Sequence, residues 1–182
     1  PGPDGPIRAC IWQLKVGKIK LLLLDTNLPD NPEVIKKITS RLYDSHSEIR
    51  VAQEVLLGIG GIKVLKAMDL FPKICHMNEG HCSFAGLERI SILMDQFDLD
   101  FNSAYQICKR TGVFTTHTPV AAGHDEFEKR LVLPYIIPYA EKFAMSTEKL
   151  LAWGTPHGSS EGAKFSMFVL GVKFSGYLNG VS

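Results

Sequence analysis

The sequence has no excess of either charge and no long apolar run. Its 20 Lys and Arg residues are balanced by 19 Asp and Glu residues, which gives a formal net charge of +1. A basic stripe that could follow a nucleic-acid backbone is therefore not expected. The apolar segments at 21–24 and 169–178 are too short, or too interrupted by polar residues, to span a bilayer. The composition argues against a nucleic-acid partner and against a membrane-spanning protein.

The sequence also lacks a cysteine pair and an N-terminal signal. Its four cysteines are scattered without a Cys-x-x-Cys motif, which favours reduced, buried thiols over a disulfide framework; they are Cys10, Cys75, Cys82 and Cys108. Residues 1–6 have no basic region followed by an apolar core, as a secretory signal would. We therefore expect a cytoplasmic protein.

The N-terminal part of the chain predicts a β-hairpin followed by a helix. Residues 7–15 and 18–24 are rich in β-prone side chains and are separated by Val16-Gly17, which fits two strands joined by a tight turn. A stretch of turn-forming residues then predicts a helix that begins near Pro32 and ends by Asp44.

A longer amphipathic helix is predicted over residues 48–68, where apolar residues recur at steps of three and four. Gly58, Gly60 and Gly61 interrupt it, and each weakens a helix interior by roughly 1 kcal/mol. They indicate either a break or a close approach of another segment. We favour close packing over a phosphate-binding loop.

From residue 73 onward, predicted strands alternate with predicted helices. In chain order these are a strand at 73–77, a helix at 80–97, a short helix at 102–109, a strand at 112–117, a helix at 125–143 and a helix at 146–153. A Gly/Ser-rich surface loop is predicted at 155–163. This alternation predicts an α/β fold with a Rossmann-like parallel sheet flanked by helices, in which ligands bind at the carboxyl ends of the strands.

Each of the two predicted strands ends in a polar cluster. The first cluster spans residues 76–81, and the second spans 115–119 and continues at 123–125. Because the carboxyl ends of parallel strands meet at one edge of a sheet, these side chains are candidates for a single cleft. The candidates are Asn78, Glu79, His81, His117, His124 and Asp125.

Three chemistries fit such a cluster to different degrees. A metal site is disfavoured because His76 and His81 flank a turn, no helical His-Glu-x-x-His motif is present and no cysteine pair completes a ligand set, so we expect no metal. Hydrolysis by paired carboxylates would use Glu79 and Asp125, whose separation is not readable from sequence. Glu79 equally fits a carboxylate at a helix N-terminus. Sugar recognition fits best, because amides, imidazoles and carboxylates all bond to hydroxyl groups.

Residues 75–81 and 113–125 together resemble the paired signatures of the α-glucan (glycogen or starch) phosphorylase family, in its shorter prokaryotic branch. Supporting segments follow in the family's order along nearly the whole chain: 23–27, Arg50 with Gln53-Glu54, 57–61, 104–108 and 179–182. The sequence also begins with Pro and ends in an apolar stretch, so we expect an internal fragment of a longer protein.

This resemblance implies a GT-B architecture, in which two Rossmann-like domains face each other across a cleft. Residues 1–182 would be part of the N-terminal, glucan-side domain. The implied reaction is phosphorolysis of α-1,4-glucan to glucose 1-phosphate with retention of configuration. By matching motifs, His117 would be the catalytic residue, contacting the glucosyl unit with its carbonyl near the developing positive charge. Asn78, Glu79, His81 and His117 would bind substrate.

The resemblance also implies a cofactor and partners. The family depends on pyridoxal phosphate, which a lysine of the C-terminal domain holds, so we expect that lysine outside this chain and assign no cofactor-binding residue within it. The partners would be α-1,4-glucan, inorganic phosphate and the missing C-terminal domain, with a homodimer among the assemblies that the resemblance allows. The fragment alone would be inactive.

A few positions depart from the family pattern, and two alternatives remain. Cys82-Ser83, Ala121 and Ser166 stand where alanines, a proline and an asparagine are common, which affects local packing rather than polar pocket groups. One alternative is a starch or glycogen synthase-like enzyme that uses a sugar nucleotide. The other is a non-catalytic glucan-binding remnant, which the isolated Trp12 and Trp153 do not favour.

Overall fold

The hairpin that opens the chain is formed as expected. The computed structural model describes residues 6–120, 124–160 and 162–181. Strands β1 (Cys10–Val16) and β2 (Ile19–Asp25) pair antiparallel. Gly17 turns the chain between them with φ +60°, a left-handed conformation that glycine adopts without steric cost. Most side chains of this hairpin are exposed.

Eight α-helices follow in the described part of the chain. They are α1 (Glu33–Lys36), α2 (Ser47–Val55), α3 (Gly61–Ala67), α4 (Ala85–Phe97), α5 (Phe101–Arg110), α6 (Lys129–Lys142), α7 (Thr147–Leu151) and α8 (Met167–Lys173). Short 3-10 turns occur at Lys37–Thr39, Gly80–Cys82 and Ala152–Gly154. None of the described helices combines the length and apolar character that a bilayer crossing requires.

A three-stranded parallel sheet lies at the centre, which confirms the predicted α/β fold. Strand β4 (Gly112–Thr116) lies between β3 (Cys75–Asn78) and β7 (Tyr177–Gly180). Asn78 is the partner of Thr115 in the parallel register, so β3 and β4 end side by side. The prediction did not include β7.

Two helix starts in the prediction are wrong. The helix expected from Gly80 begins only at Ala85, after the 3-10 turn Gly80–Cys82. The helix expected from Asp125 begins only at Lys129, because Glu126–Phe127 forms a short strand, β5, that pairs antiparallel with β6 (Phe165–Ser166). Residues 121–123, which include Gly123 of the second predicted polar cluster and the departure at Ala121, lie outside the described residues.

Helix α4 is the centre of the core. Nine consecutive residues, Ala85 to Leu93, are buried, so the helix is surrounded by protein rather than lying on the surface. It packs against α3, α5 and α6. Met77 and Phe114 from the sheet and Phe174 from the end of α8 belong to the same apolar cluster.

The predicted glycine interruption is a π-helical turn, not a break. Residues Leu56–Gly60 connect α2 to α3 without leaving helical backbone geometry. A Cβ atom at Gly58 would lie 2.8 Å from the Ala85 backbone nitrogen and 2.9 Å from Phe84 Cβ. The prediction of close packing is therefore confirmed at Gly58.

Gly58→Ala should lower the free energy of unfolding by about 1–3 kcal/mol, because the added methyl group forces α4 away from the π-helical turn. Gly61→Ala is the matched control, since a Cβ there meets nothing within 4 Å. It should stabilise the chain by up to about 1 kcal/mol through helix propensity. Denaturant unfolding of both variants checks this, and equal effects would contradict the packing account.

Candidate functional site

The candidate site lies where the carboxyl ends of β3 and β4 meet helix α2. Two groups of polar side chains are found there. The strand-exit group comprises Asn78, Glu79, Thr116, His117 and Thr118. The arginine cluster comprises Arg50, Glu54, His81 and Asp125.

Glu79 ties the end of β3 to the loop that follows β4. Its carboxylate accepts hydrogen bonds from the backbone N–H of His117 and from the hydroxyls of Thr116 and Thr118, both at 3.2 Å. Burial raises the pKa of Glu79, but these donors outweigh it and lower the pKa below its ordinary value. Glu79 is therefore an ionised carboxylate that organises the neighbouring loop.

The backbone at Glu79 is strained. Its φ of 63° and ψ of 178° fall in a region that is otherwise essentially restricted to glycine. This conformation turns the chain sharply from β3 into the 3-10 turn Gly80–Cys82. Such strain persists where surrounding contacts hold it, and the three hydrogen bonds to the carboxylate are such contacts.

His117 presents its ring at the surface of the strand-exit group. Its Nε2 lies 2.8 Å from Asn78 Oδ1, and both side chains are exposed. The Thr118 N–H donates to Thr116 Oγ1 at 3.4 Å. The His117 C=O and the Thr118 N–H belong to one planar trans peptide and point in opposite directions. The carbonyl therefore points away from the Thr116 hydroxyl. Glu79 thus orients this carbonyl through the Thr116 hydroxyl.

Arg50 is the centre of the arginine cluster. Its Nη2 lies 2.7 Å from Asp125 Oδ2, 2.7 Å from His81 Nδ1 and 3.2 Å from Glu54 Oε1. Its guanidinium carbon also lies 5.0 Å from the centre of the Tyr43 ring. One guanidinium therefore joins α2 to the 3-10 turn after β3 and to the segment before β5.

The two carboxyl groups of this cluster have pKa values that move in opposite directions. Burial raises the pKa of Glu54 to about 9, and the negative charge of Asp125 adds to this effect. Burial raises the pKa of Asp125, but hydrogen bonds to its carboxylate, with Arg50 and Glu54 among the donors, outweigh burial and hold the pKa well below its usual range. At neutral pH the cluster contains an ionised Asp125 and a protonated Glu54.

Glu54, His81 and Asp125 also meet a simple geometric criterion for a metal site, since their ligand atoms lie within 4.8 Å of one another. However, Arg50 Nη2 contacts all three of these side chains. A metal cation would have to displace this positive charge or lie against it. We therefore assign the position to the guanidinium and not to a metal.

A polar pocket of about 420 Å³ opens beside the arginine cluster. Arg50, His81, Thr118 and Asp125 contribute to its wall. A larger, mostly apolar pocket of about 720 Å³ adjoins it and shares Tyr43, Arg50 and His81. The polar pocket combines hydrogen-bond donors and acceptors that suit a ligand with several hydroxyl groups.

The chain is similar to curated phosphorylases. The chain is 36% identical over 197 residues to glycogen phosphorylase of Mycobacterium tuberculosis H37Rv, and the match covers the whole chain. It is 37% identical over 182 residues to maltodextrin phosphorylase of Thermococcus litoralis, again over its whole length. The chain is homologous to a segment of the α-glucan phosphorylases.

The similarity extends over nearly the whole chain but over only part of each relative. Glycogen phosphorylase of Aquifex aeolicus is 30% identical over 173 residues, which is 94% of the chain. The chain spans 22%, 21% and 25% of the length of these three phosphorylases, in the order given. No family model matches the sequence. The observed parallel sheet with flanking helices is consistent with a Rossmann-like part of the GT-B fold.

The structure brings together most, but not all, of the predicted site residues. His117 meets Asn78 and Glu79, while His81 meets Asp125. His124 instead packs on the Phe168 ring, with 4.5 Å between ring centres.

The site also contains two residues to which the sequence analysis gave no chemical role, Arg50 and Glu54. Both lie on α2, and the sequence shows only an Arg–Glu pair four residues apart. A charged pair with this spacing usually lies on the solvent-exposed face of a helix. Here the Glu54 side chain is only 1% exposed.

The described lysines do not fit a cofactor site. A lysine that forms a Schiff base reacts as the neutral amine, and burial is a common means of obtaining that form. No lysine in the described ranges is buried. The residues described here therefore do not fit attachment of pyridoxal phosphate.

Proposed function

We propose that this chain forms part of the sugar-binding side of an α-glucan phosphorylase active site. The complete protein would convert α-1,4-glucan and inorganic phosphate to glucose 1-phosphate. The observation that carries the proposal is the meeting of Asn78, Glu79 and His117 at the paired ends of β3 and β4, within a chain homologous over its whole length to phosphorylases.

In this proposal each residue of the strand-exit group has a distinct task. His117 and Asn78 contact the glucosyl unit, since their exposed polar atoms face solvent at the edge of the sheet. Glu79 fixes the His117 peptide so that the carbonyl has a defined direction before substrate arrives. A preorganised carbonyl dipole stabilises positive charge that develops at the anomeric carbon. His81 lines the adjoining polar pocket.

The proposed enzyme needs groups from outside the described residues. Pyridoxal phosphate would be held by a lysine of a second, C-terminal domain, because the described lysines do not fit that role. That domain would close the cleft from the other side, and the assembled enzyme would be a cytoplasmic protein that forms homodimers. The 182-residue chain alone would not carry out phosphorolysis.

The first test is phosphorolysis by the product of the complete reading frame that encodes this chain. The purified protein is incubated with maltoheptaose and inorganic phosphate, and glucose 1-phosphate is measured with a coupled enzyme assay. We expect glucose 1-phosphate that depends on both substrates. Glucosyl transfer from a sugar nucleotide without phosphorolysis would instead support the synthase-like alternative.

His117→Ala in that protein should reduce phosphorolysis at least 100-fold while changing the melting temperature little, because the ring is exposed and, among the described residues, bonds only to Asn78. His157→Ala is the matched control, since His157 is an exposed histidine of the loop that follows α7. It should retain full activity. A large loss of stability with retained activity in His117→Ala would contradict the assignment.

A further inference from the structure

Arg50 Nη2 has too few hydrogens to donate to all of its close neighbours in the arginine cluster. Arg50 Nη2 carries two hydrogens but has three close neighbours, namely Asp125 Oδ2, His81 Nδ1 and Glu54 Oε1. The two contacts at 2.7 Å take both hydrogens, which leaves none for Glu54 at 3.2 Å. A further proton is needed for Glu54 to be satisfied.

The contact with Arg50 also determines the state of His81. A nitrogen–nitrogen distance of 2.7 Å requires one hydrogen between the two atoms, and a guanidinium has no lone pair to accept one. His81 Nδ1 must therefore be the acceptor. Arg50 then donates one hydrogen to His81 Nδ1 and the other to Asp125 Oδ2. These two acceptor atoms lie 3.0 Å apart. The ring proton is left on Nε2.

Glu54 is buried without a donor for either of its oxygens. Among the described residues, neither carboxyl oxygen of Glu54 has a hydrogen-bond partner when it is treated as a carboxylate. An ionised carboxylate in that position would be costly. A carboxylic acid would instead provide an O–H group for the adjacent Asp125 carboxylate, whose ionised form then gains a second donor besides Arg50.

We infer that Glu54 is a positioning residue, held as a neutral acid that donates to Asp125 and so keeps His81 in the tautomer that offers Nε2–H to a sugar hydroxyl. The role in sugar binding rests on the proposed function. His81 lines the polar pocket, and its Nε2 has no hydrogen-bond partner within residues 6–120, 124–160 and 162–181. Glu54 thus acts on the ligand through Asp125, Arg50 and His81.

The groups that surround Glu54 come from several elements. Arg50 lies on the same helix, and Asp125 and His81 come from the two strand exits. Burial raises the pKa of the Cys82 thiol, and the negative charge of Glu54 adds to this effect. The Tyr43 ring lies against the Arg50 guanidinium. Ionisation of Glu54 would place a second negative charge beside Asp125 and draw the Arg50 hydrogens away from His81.

The first measurement is an NMR titration of the 182-residue chain with labelled histidine and glutamate. The ring nitrogen shifts of His81 at pH 7 should show an unprotonated Nδ1 and a protonated Nε2. The carboxyl carbon of Glu54 should titrate near pH 9, since burial raises its pKa to about 9, and the His81 signals should change over the same range.

Glu54→Gln is the decisive variant, because its amide is neutral at every pH and still donates to Asp125. It should keep the His81 tautomer of the unmodified chain and lose the transition near pH 9. Glu54→Met keeps the volume but removes the donor, and it should alter the His81 signals already at pH 7. A purely structural role would leave the His81 signals of all three proteins alike.

Two results would overturn the inference in the unmodified chain itself. One is a Glu54 carboxyl that titrates near pH 4–5, and the other is a protonated His81 Nδ1 at pH 7. Persistence of the transition near pH 9 in Glu54→Gln would overturn it as well. Because none of these readouts measures phosphorolysis, they are independent of whether the complete protein is a phosphorylase.

Discussion

Arg50→Met should lower the free energy of unfolding by about 2–3 kcal/mol at neutral pH, less than the roughly 3–5 kcal/mol for removing one partner from a fully buried ion pair, because Arg50 and Asp125 are partly buried. The Arg50 side chain is 12% exposed, and its Nη2 lies within 3.2 Å of Asp125, His81 and Glu54. Methionine preserves much of the side-chain volume, so the loss reports the charge and the hydrogen bonds. Denaturant unfolding monitored by circular dichroism measures it.

Arg50→Lys is the matched control for this prediction. An ammonium keeps the positive charge beside Asp125 but lacks the planar fork that reaches several acceptors at once. We expect a loss between that of the methionine variant and zero. If Arg50→Met costs less than about 1 kcal/mol, the contacts of Arg50 do not hold the cluster together and behave like a surface ion pair.

Under the proposed function, Glu79→Ala should reduce phosphorolysis by the complete protein at least 100-fold, because the loop that carries His117 loses the acceptor that orients it. Three donors from residues 116–118 would then have no carboxylate partner. Geometric displacement of a group that stabilises a transition state commonly has effects of this size. The assay is the same measurement of glucose 1-phosphate.

Glu79→Gly separates the two roles of Glu79. Both variants remove the carboxylate, but glycine adopts φ 63° and ψ 178° without strain, whereas alanine does not. Glu79→Gly should therefore be more stable than Glu79→Ala by about 1–3 kcal/mol and equally impaired in phosphorolysis. Equal stability of the two variants would show that the backbone conformation relaxes when the carboxylate is removed.

Local sequence patterns predicted the parts of the fold that depend on local interactions. The hairpin, most helices and the two strands β3 and β4 carry their own signals of alternation, periodicity and turn chemistry. Strand β7 carries none, because its four residues are exposed and become a strand only by pairing with β4 across a long stretch of chain. The short β5–β6 pairing was missed because it also joins residues that are far apart in the chain.

The candidate site was likewise predicted only in part. Polar residues after two parallel strands must approach one another, so the group of Asn78, Glu79 and His117 follows from the topology. The participation of Arg50 and Glu54 depends on how α2 packs against these loops, which no local pattern specifies. Neither the protonated state of Glu54 nor the positive φ of Glu79 is visible in the sequence.

The order of the strands in the central sheet has a consequence for synthesis on the ribosome. Strand β4 pairs on one side with β3, made shortly before it, and on the other with β7, where Val113 meets Tyr177. Roughly 60 residues must be added before that second partner exists, which takes about 3–12 seconds at ordinary translation rates. During this interval the nascent chain exposes one free edge of β4, where a ribosome-associated chaperone would find an unpaired strand.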